Sequence, residues 1–225
     1  MSRMRSLGKP EVLRSAAIAA FFTCVACYPR LCLAPRLAYP VWYLAALLFL
    51  GSIVLWAFVF AWHTQYTGQP VVTVRIAHIP FLWATASGLT LASVLRLWLD
   101  PVLRARNPDD FPLTFEQWAA VTLFSLAFTQ LFLVFAPFAW ALRLARRQSV
   151  AVVLTVLFGL YVLAVKNYRS PGPVSTQLWS GLFLVRLIIS LGSVLFFIRG
   201  GLLLVWWWGF LLQSRHLLTL VHGTL

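Results

Sequence analysis

Arg186 is the residue in this chain best placed to do chemistry. It lies near the middle of an apolar run, Leu178 to Ile198, and is the only charged residue so placed. A charge at the centre of a membrane helix is unfavourable by about 2.5–3.5 kcal/mol on insertion scales unless a partner relieves it. Two roles follow from that cost. The guanidinium could line a polar cavity and hold an anion or a lipid phosphate, or it could be a structural arginine bonded to Gln130 or to carbonyls of a neighbouring helix. Gln130 and Thr129 lie midway along another apolar run, and Thr85, Ser87, Gly88, Thr90 and Ser93 give a third run a small, polar face. Small residues let membrane helices approach closely, so packing explains that face without a ligand. Arg186, Gln130, Thr129, Thr85 and Ser87 together are the intramembrane polar site that the sequence suggests.

Other chemistry finds little support. The carboxylates Glu11, Asp100, Asp109, Asp110 and Glu116 fall at the ends of apolar runs or between them, and His63, His78, His216 and His222 fall at run ends or in the tail. No H-E-x-x-H, G-x-S-x-G or P-loop pattern occurs. A serine nucleophile at depth would need a base beside it, and none is found, so no catalytic residue is assigned. Haem ligation wants paired histidines on facing helices. His63 and His78 flank one polar stretch, the tail histidines read as exposed, and the cofactor stays unassigned. Cys24, Cys27 and Cys32 are an odd set with no histidine nearby, which argues against a disulfide framework and against a metal site.

The elements that must carry these residues follow from composition. The chain is 61% hydrophobic and 10% charged, with mean hydropathy +0.86, where a soluble domain is about half apolar and a quarter charged. A water-soluble fold of this size leaves roughly a third of its area exposed and could not hide so much apolar surface. The fold class is therefore all-α, a polytopic transmembrane helix bundle of about six spans in a single membrane domain over 1–225. The spans fall at about 11–28, 41–62, 79–99, 115–138, 149–166 and 178–198, with a short apolar segment at 201–213. The first is short for a crossing and follows a basic start, so it reads as an uncleaved span, an in-plane helix or a cleaved signal. Residues 41–62 form the clearest span, uncharged, with Trp42, Tyr43 and Trp62 as interfacial aromatics. Thr114 and Gln117 make a capping-box pattern ahead of the fourth. Segment 201–213 reads as a half-helix, an interfacial helix or an extension of the preceding span.

Net charge is +13, carried almost wholly by arginine. The arginines punctuate apolar runs rather than forming one stripe, so the partners implied are the lipid bilayer and its anionic lipids, with no nucleic acid. Lysines and arginines in short loops mark the cytoplasmic side. With six spans, ten fall with the N-terminus (Arg3, Arg5, Lys9, Arg14, Arg75, Arg143, Arg146, Arg147, Arg199, Arg215) and six opposite (Arg30, Arg36, Arg104, Arg106, Lys166, Arg169). The N-terminus is expected in the cytoplasm.

From the fourth span onward the chain resembles the CPBP group, the CAAX-protease and bacteriocin-processing intramembrane proteins. Ala136-Pro137, the run Val152 to Gly159 after Arg146-Arg147, and Phe196 to Trp208 through Arg199-Gly200-Gly201 carry the likeness. The departures fall on the catalytic motifs. Trp140 and Ala141 stand near the position of that family's Glu-Glu pair, Val162 where its first histidine belongs, and Trp208 or Gly209 where a second is expected. The resemblance thus implies a relative that kept the bundle and lost the residues that activate water. The arginine-rich composition suits a bacterial inner membrane. The leading functional expectation is a non-catalytic membrane protein binding a membrane protein partner or lipid. Its rivals are an accessory subunit of a larger complex bearing a pigment or haem, and a small transporter or lipid-handling protein built around Arg186.

Overall fold

The computed structural model describes residues 7, 9–33, 38–74, 76–108, 111–168 and 175–222. Among the described residues every regular element is a helix. Six helices are long and apolar enough to cross a membrane. We label them α1 (Pro10–Cys32), α2 (Val41–Thr67), α3 (His78–Arg106), α4 (Phe115–Ala145) and α5 (Gln148–Tyr168), with a last helical stretch, Thr176–His222. Backbone physics dictates this form, since lipid offers no partner for an unsatisfied N–H or C=O.

The last stretch is two helices. Gly201 has φ 66° and ψ −161°, a conformation essentially reserved for glycine. A Cβ on Gly192 would come within 3.0 Å of the Trp208 indole, and the Phe196 and Trp208 rings are 5.5 Å apart. In a straight helix, positions 192 and 208 would be about 24 Å apart. The chain therefore folds back at Gly201, giving two antiparallel arms, α6 (176–200) and α7 (202–222). Each is long enough to cross at about 1.5 Å per residue, so the described residues form seven such helices. The segment expected as a short apolar run at 201–213 is the first half of α7. It reaches full length because the polar residues Gln213, Ser214, Arg215 and His216 stay helical against α3 and α4.

The reversal exposes the N-terminal N–H groups of α7, which lack intrahelical partners. One is met from outside the hairpin: the Leu202 N–H donates to the Val71 carbonyl at 3.0 Å. Val71 is 3% exposed. The polar stretch after α2 thus dips against the hairpin bend, and its Val71 to Val74 segment forms no strand.

Prolines explain two irregular turns. A proline ring inside a helix clashes with the carbonyl four residues back. Pro101 and Pro137 each follow a widened π turn, Leu95–Leu99 and Leu131–Phe135, which contains that carbonyl. Widening relieves the clash without breaking the helix, so α3 continues past Asp100-Pro101 to Arg106 rather than ending at 99. Thr114 caps α4 by accepting from the Gln117 N–H, while the Gln117 side chain accepts from the Leu113 N–H.

The helices pack through small residues. Gly88 of α3 lies against Leu211 and Trp208 of α7, Gly159 of α5 against Ser190 of α6, and Gly181 of α6 against Trp98 of α3. One apolar core gathers Trp56, Trp62, Phe135, Phe138 and Phe197, and a second joins α3, α6 and α7 through Leu95, Val185, Leu204 and Trp208. Arg143 stacks its guanidinium 4.4 Å from the Trp62 ring.

Gly201→Ala tests the corner. The added Cβ would meet the Val71 carbonyl at 2.8 Å and force a glycine-only conformation. Thermal unfolding in detergent should show a loss of about 1–3 kcal/mol. A variant as stable as the parent contradicts the corner.

Candidate functional site

Two polar places stand out, one at mid-membrane and one near the end of α3 and α7. Arg186 lies two residues from the middle of α6, and its Nε donates to the Gly159 carbonyl at 3.3 Å. Gly159 is itself near the middle of α5. Its missing side chain makes the room, since a Cβ there would sit 2.6 Å from Ser190 Oγ and 3.4 Å from Arg186 Nε. The two Nη groups of Arg186 take no partner among the described residues, and neither is enclosed. Up to four N–H bonds at mid-depth are thus available to something outside the chain. Of the expected partners, a neighbouring carbonyl is the one found.

The rest of the expected polar set lies elsewhere. Gln130 is buried beside Gly209 of α7, with its Oε1 unpartnered, and no hydrogen bond joins it to Arg186. Thr129 closes a π turn on α4 and is half-buried. Thr85 accepts from the Trp207 indole N–H at 2.9 Å and donates to the Phe81 carbonyl, while Ser87 donates to the Trp83 carbonyl. Thr85 and Gly88 therefore serve the α3–α7 contact, as packing alone would have it. The sequence placed these residues at similar depth, but depth does not fix which way a helix faces.

The second place has no counterpart in the sequence reading. Asp100 of α3 accepts from Arg215 Nε of α7 at 2.9 Å, and His216 Nδ1 is 4.0 Å from the same oxygen. Arg215 Nη1 also donates to the Leu212 carbonyl. His216, expected exposed, is 7% exposed, covered by the edge-on ring of Phe111 at 5.5 Å. Arg104 lies over that ring at 5.2 Å. Trp118 donates to the Gln213 carbonyl and Gln213 to Ser125, tying α4 to the same end of α7. The available signal was the cost of Asp100, an acid at the end of an apolar run that needs a base at its own depth.

Among the described residues no group of three histidine, cysteine or acidic side chains could hold a metal ion. His63 is fully buried with neither ring nitrogen bonded, and the Phe138 and Phe197 rings pack around it, at 4.4 Å for Phe197. His78, at the other end of the same connection, is exposed. Cys24, Cys27 and Cys32 are unpaired. A cavity of about 630 Å³ between α1, α2, α4 and α7 is lined by side chains such as Phe22, Trp56, Phe60 and Trp206, with no converging charges.

The helices and the places of their charges make this a polytopic helical membrane protein. No family model matches the chain, and no curated protein or solved structure is similar to it.

The Asp100–Arg215 pair crosses from α3 to α7, so removing one partner strands the other in a partly buried place. Asp100→Asn should be less stable than the parent, and Asp100→Asn with Arg215→Gln should recover part of the loss. Thermal unfolding of the full cycle should give a coupling of about 0.5–3 kcal/mol. Additive losses would mean the pair contributes nothing.

Proposed function

We propose that this chain is a non-catalytic integral membrane protein that binds a second membrane-spanning protein through Arg186. The observation that carries the reading is the mid-membrane guanidinium with two unpartnered, unenclosed Nη groups. The five carboxylates of the chain are Glu11, Asp100, Asp109, Asp110 and Glu116, and none falls midway along a span. A second copy therefore offers no acid at the depth of Arg186. Lipid phosphate lies about 15 Å from the midplane, half the thickness of the hydrocarbon, and an arginine at the centre does not reach it without deforming the bilayer. A carboxylate on a partner's helix at the same depth meets the guanidinium directly and supplies a bidentate acceptor.

The same reading takes the chain as a degenerate CPBP-like protein of a bacterial inner membrane. Trp140, Ala141, Val162, and Trp208 or Gly209 stand where that family's water-activating residues would be. With seven helices the C-terminus lies opposite the N-terminus, which moves Arg215 across and leaves nine basic residues with the N-terminus against seven. The N-terminus remains the cytoplasmic end in this proposal.

A model single-span helix with one central glutamate is the probe. Reconstituted with the protein, it should associate more tightly than the same helix carrying leucine there, by about tenfold or more, with energy transfer as the readout. Arg186→Leu should abolish the preference, and Arg186→Lys should keep part of it as a point charge. Equal association of both helices, or a preference that survives Arg186→Leu, overturns the reading.

A further inference from the structure

A cleft of about 290 Å³ opens between α3 and α7 and is lined by Ser93, Arg96, Leu97, Ser214, Arg215 and Leu218 among others. Two arginines face one small opening. Both lie within about two to three turns of the end where α3 and α7 stop together, the level at which headgroups meet the hydrocarbon. Arg96 makes no hydrogen bond to a described residue and is half-buried. Arg215 gives Nε to Asp100 and Nη1 to the Leu212 carbonyl, which leaves Nη2 without a partner among the described residues. Ser93 and Ser214 spend their protons on the Leu89 and Leu211 carbonyls, so the cleft presents donors from the arginines alone. Asp100 is the adverse charge here. It is held by Arg215 and also lies in the field of Arg96, so the two guanidinium groups of the cleft outweigh one carboxylate.

We propose that this cleft is a binding site for the phosphate of an anionic phospholipid, held between Arg96 and Arg215 with its acyl chains along the apolar flank of α3. The flank fits the chains, for Leu97 is 80% exposed and Trp98, at the interfacial position favoured by tryptophan, is 52% exposed. The Asp100–Arg215 pair fixes the orientation of one arginine before lipid arrives, which spares the cost of ordering it. Arg96 is the half of the clamp that no hydrogen bond to a described residue holds. This site is independent of Arg186, which is too deep to meet a headgroup.

The full chain in nanodiscs of mixed phosphatidylglycerol and phosphatidylcholine provides the test, with lipid retained through detergent exchange read by mass spectrometry. The parent should retain phosphatidylglycerol in preference to phosphatidylcholine. Arg96→Gln, at a partly exposed site where the fold should persist, should lower that retention by about fivefold, the factor one basic side chain near an anionic surface contributes. Arg104→Gln, nearby but outside the cleft, should change it little. Inorganic phosphate at millimolar concentration should fail to displace the lipid. Equal retention of both lipids, equal losses from Arg96→Gln and Arg104→Gln, or displacement by inorganic phosphate would each overturn the proposal.

Discussion

Lipid cannot hydrogen-bond a peptide group, so each turn made by this chain must satisfy its own backbone or borrow a partner from another segment. The reversal at Gly201 is where that constraint bears hardest. Two full-length helices meet across a single non-helical residue, leaving almost no loop to supply acceptors. The Val71 carbonyl provides one for Leu202, and it does so from a connection more than a hundred residues away in sequence. That bond explains why the stretch after α2 folds inward. It also explains why Val71 is buried while its neighbours Val72 and Val74 stay exposed.

Once the hairpin closes, the rest of the polar arrangement is constrained. α7 returns beside α3 and runs parallel to it, so that Thr85 meets Trp207 near one end and Asp100 meets Arg215 near the other. The same hairpin holds α6 against α5, where Gly159 leaves space for Ser190 and the Arg186 guanidinium. Asp100 and Arg186 thus illustrate opposite solutions to one cost. The acid is compensated inside the chain, whereas the arginine keeps one carbonyl and its remaining donors have no partner among the described residues. A charge with an internal partner serves the fold. One whose donors stay free in a costly place points to something beyond the chain.

Much of this architecture was legible in the sequence because length and hydropathy are local properties. Residues 41–62, 79–99 and 115–138 fall within α2, α3 and α4, and the Thr114 cap is formed. Gly200-Gly201 was visible as a break, but nothing local says whether a glycine pair kinks a helix or reverses it. The answer lies in Gly192 and Trp208, which touch only if the chain turns back. His216 was misjudged for a related reason. It looks exposed beside its sequence neighbours and is buried under Phe111, which arrives from elsewhere in the chain. Arg186 was recognisable by its cost alone, yet its carbonyl partner depended on the facing of α5, which a pattern apolar on all sides does not encode.

The hairpin is the claim on which the pairing of α3 with α7 and the placement of both charged sites rest. A distance between spin labels at Leu184 and Leu218, both exposed and equally far from Gly201, tests it most directly. Pulsed electron resonance in nanodiscs should give a separation below about 30 Å if the arms lie side by side. A continuous helix would hold these positions about 50 Å apart, at about 1.5 Å per residue, and that result would contradict the account.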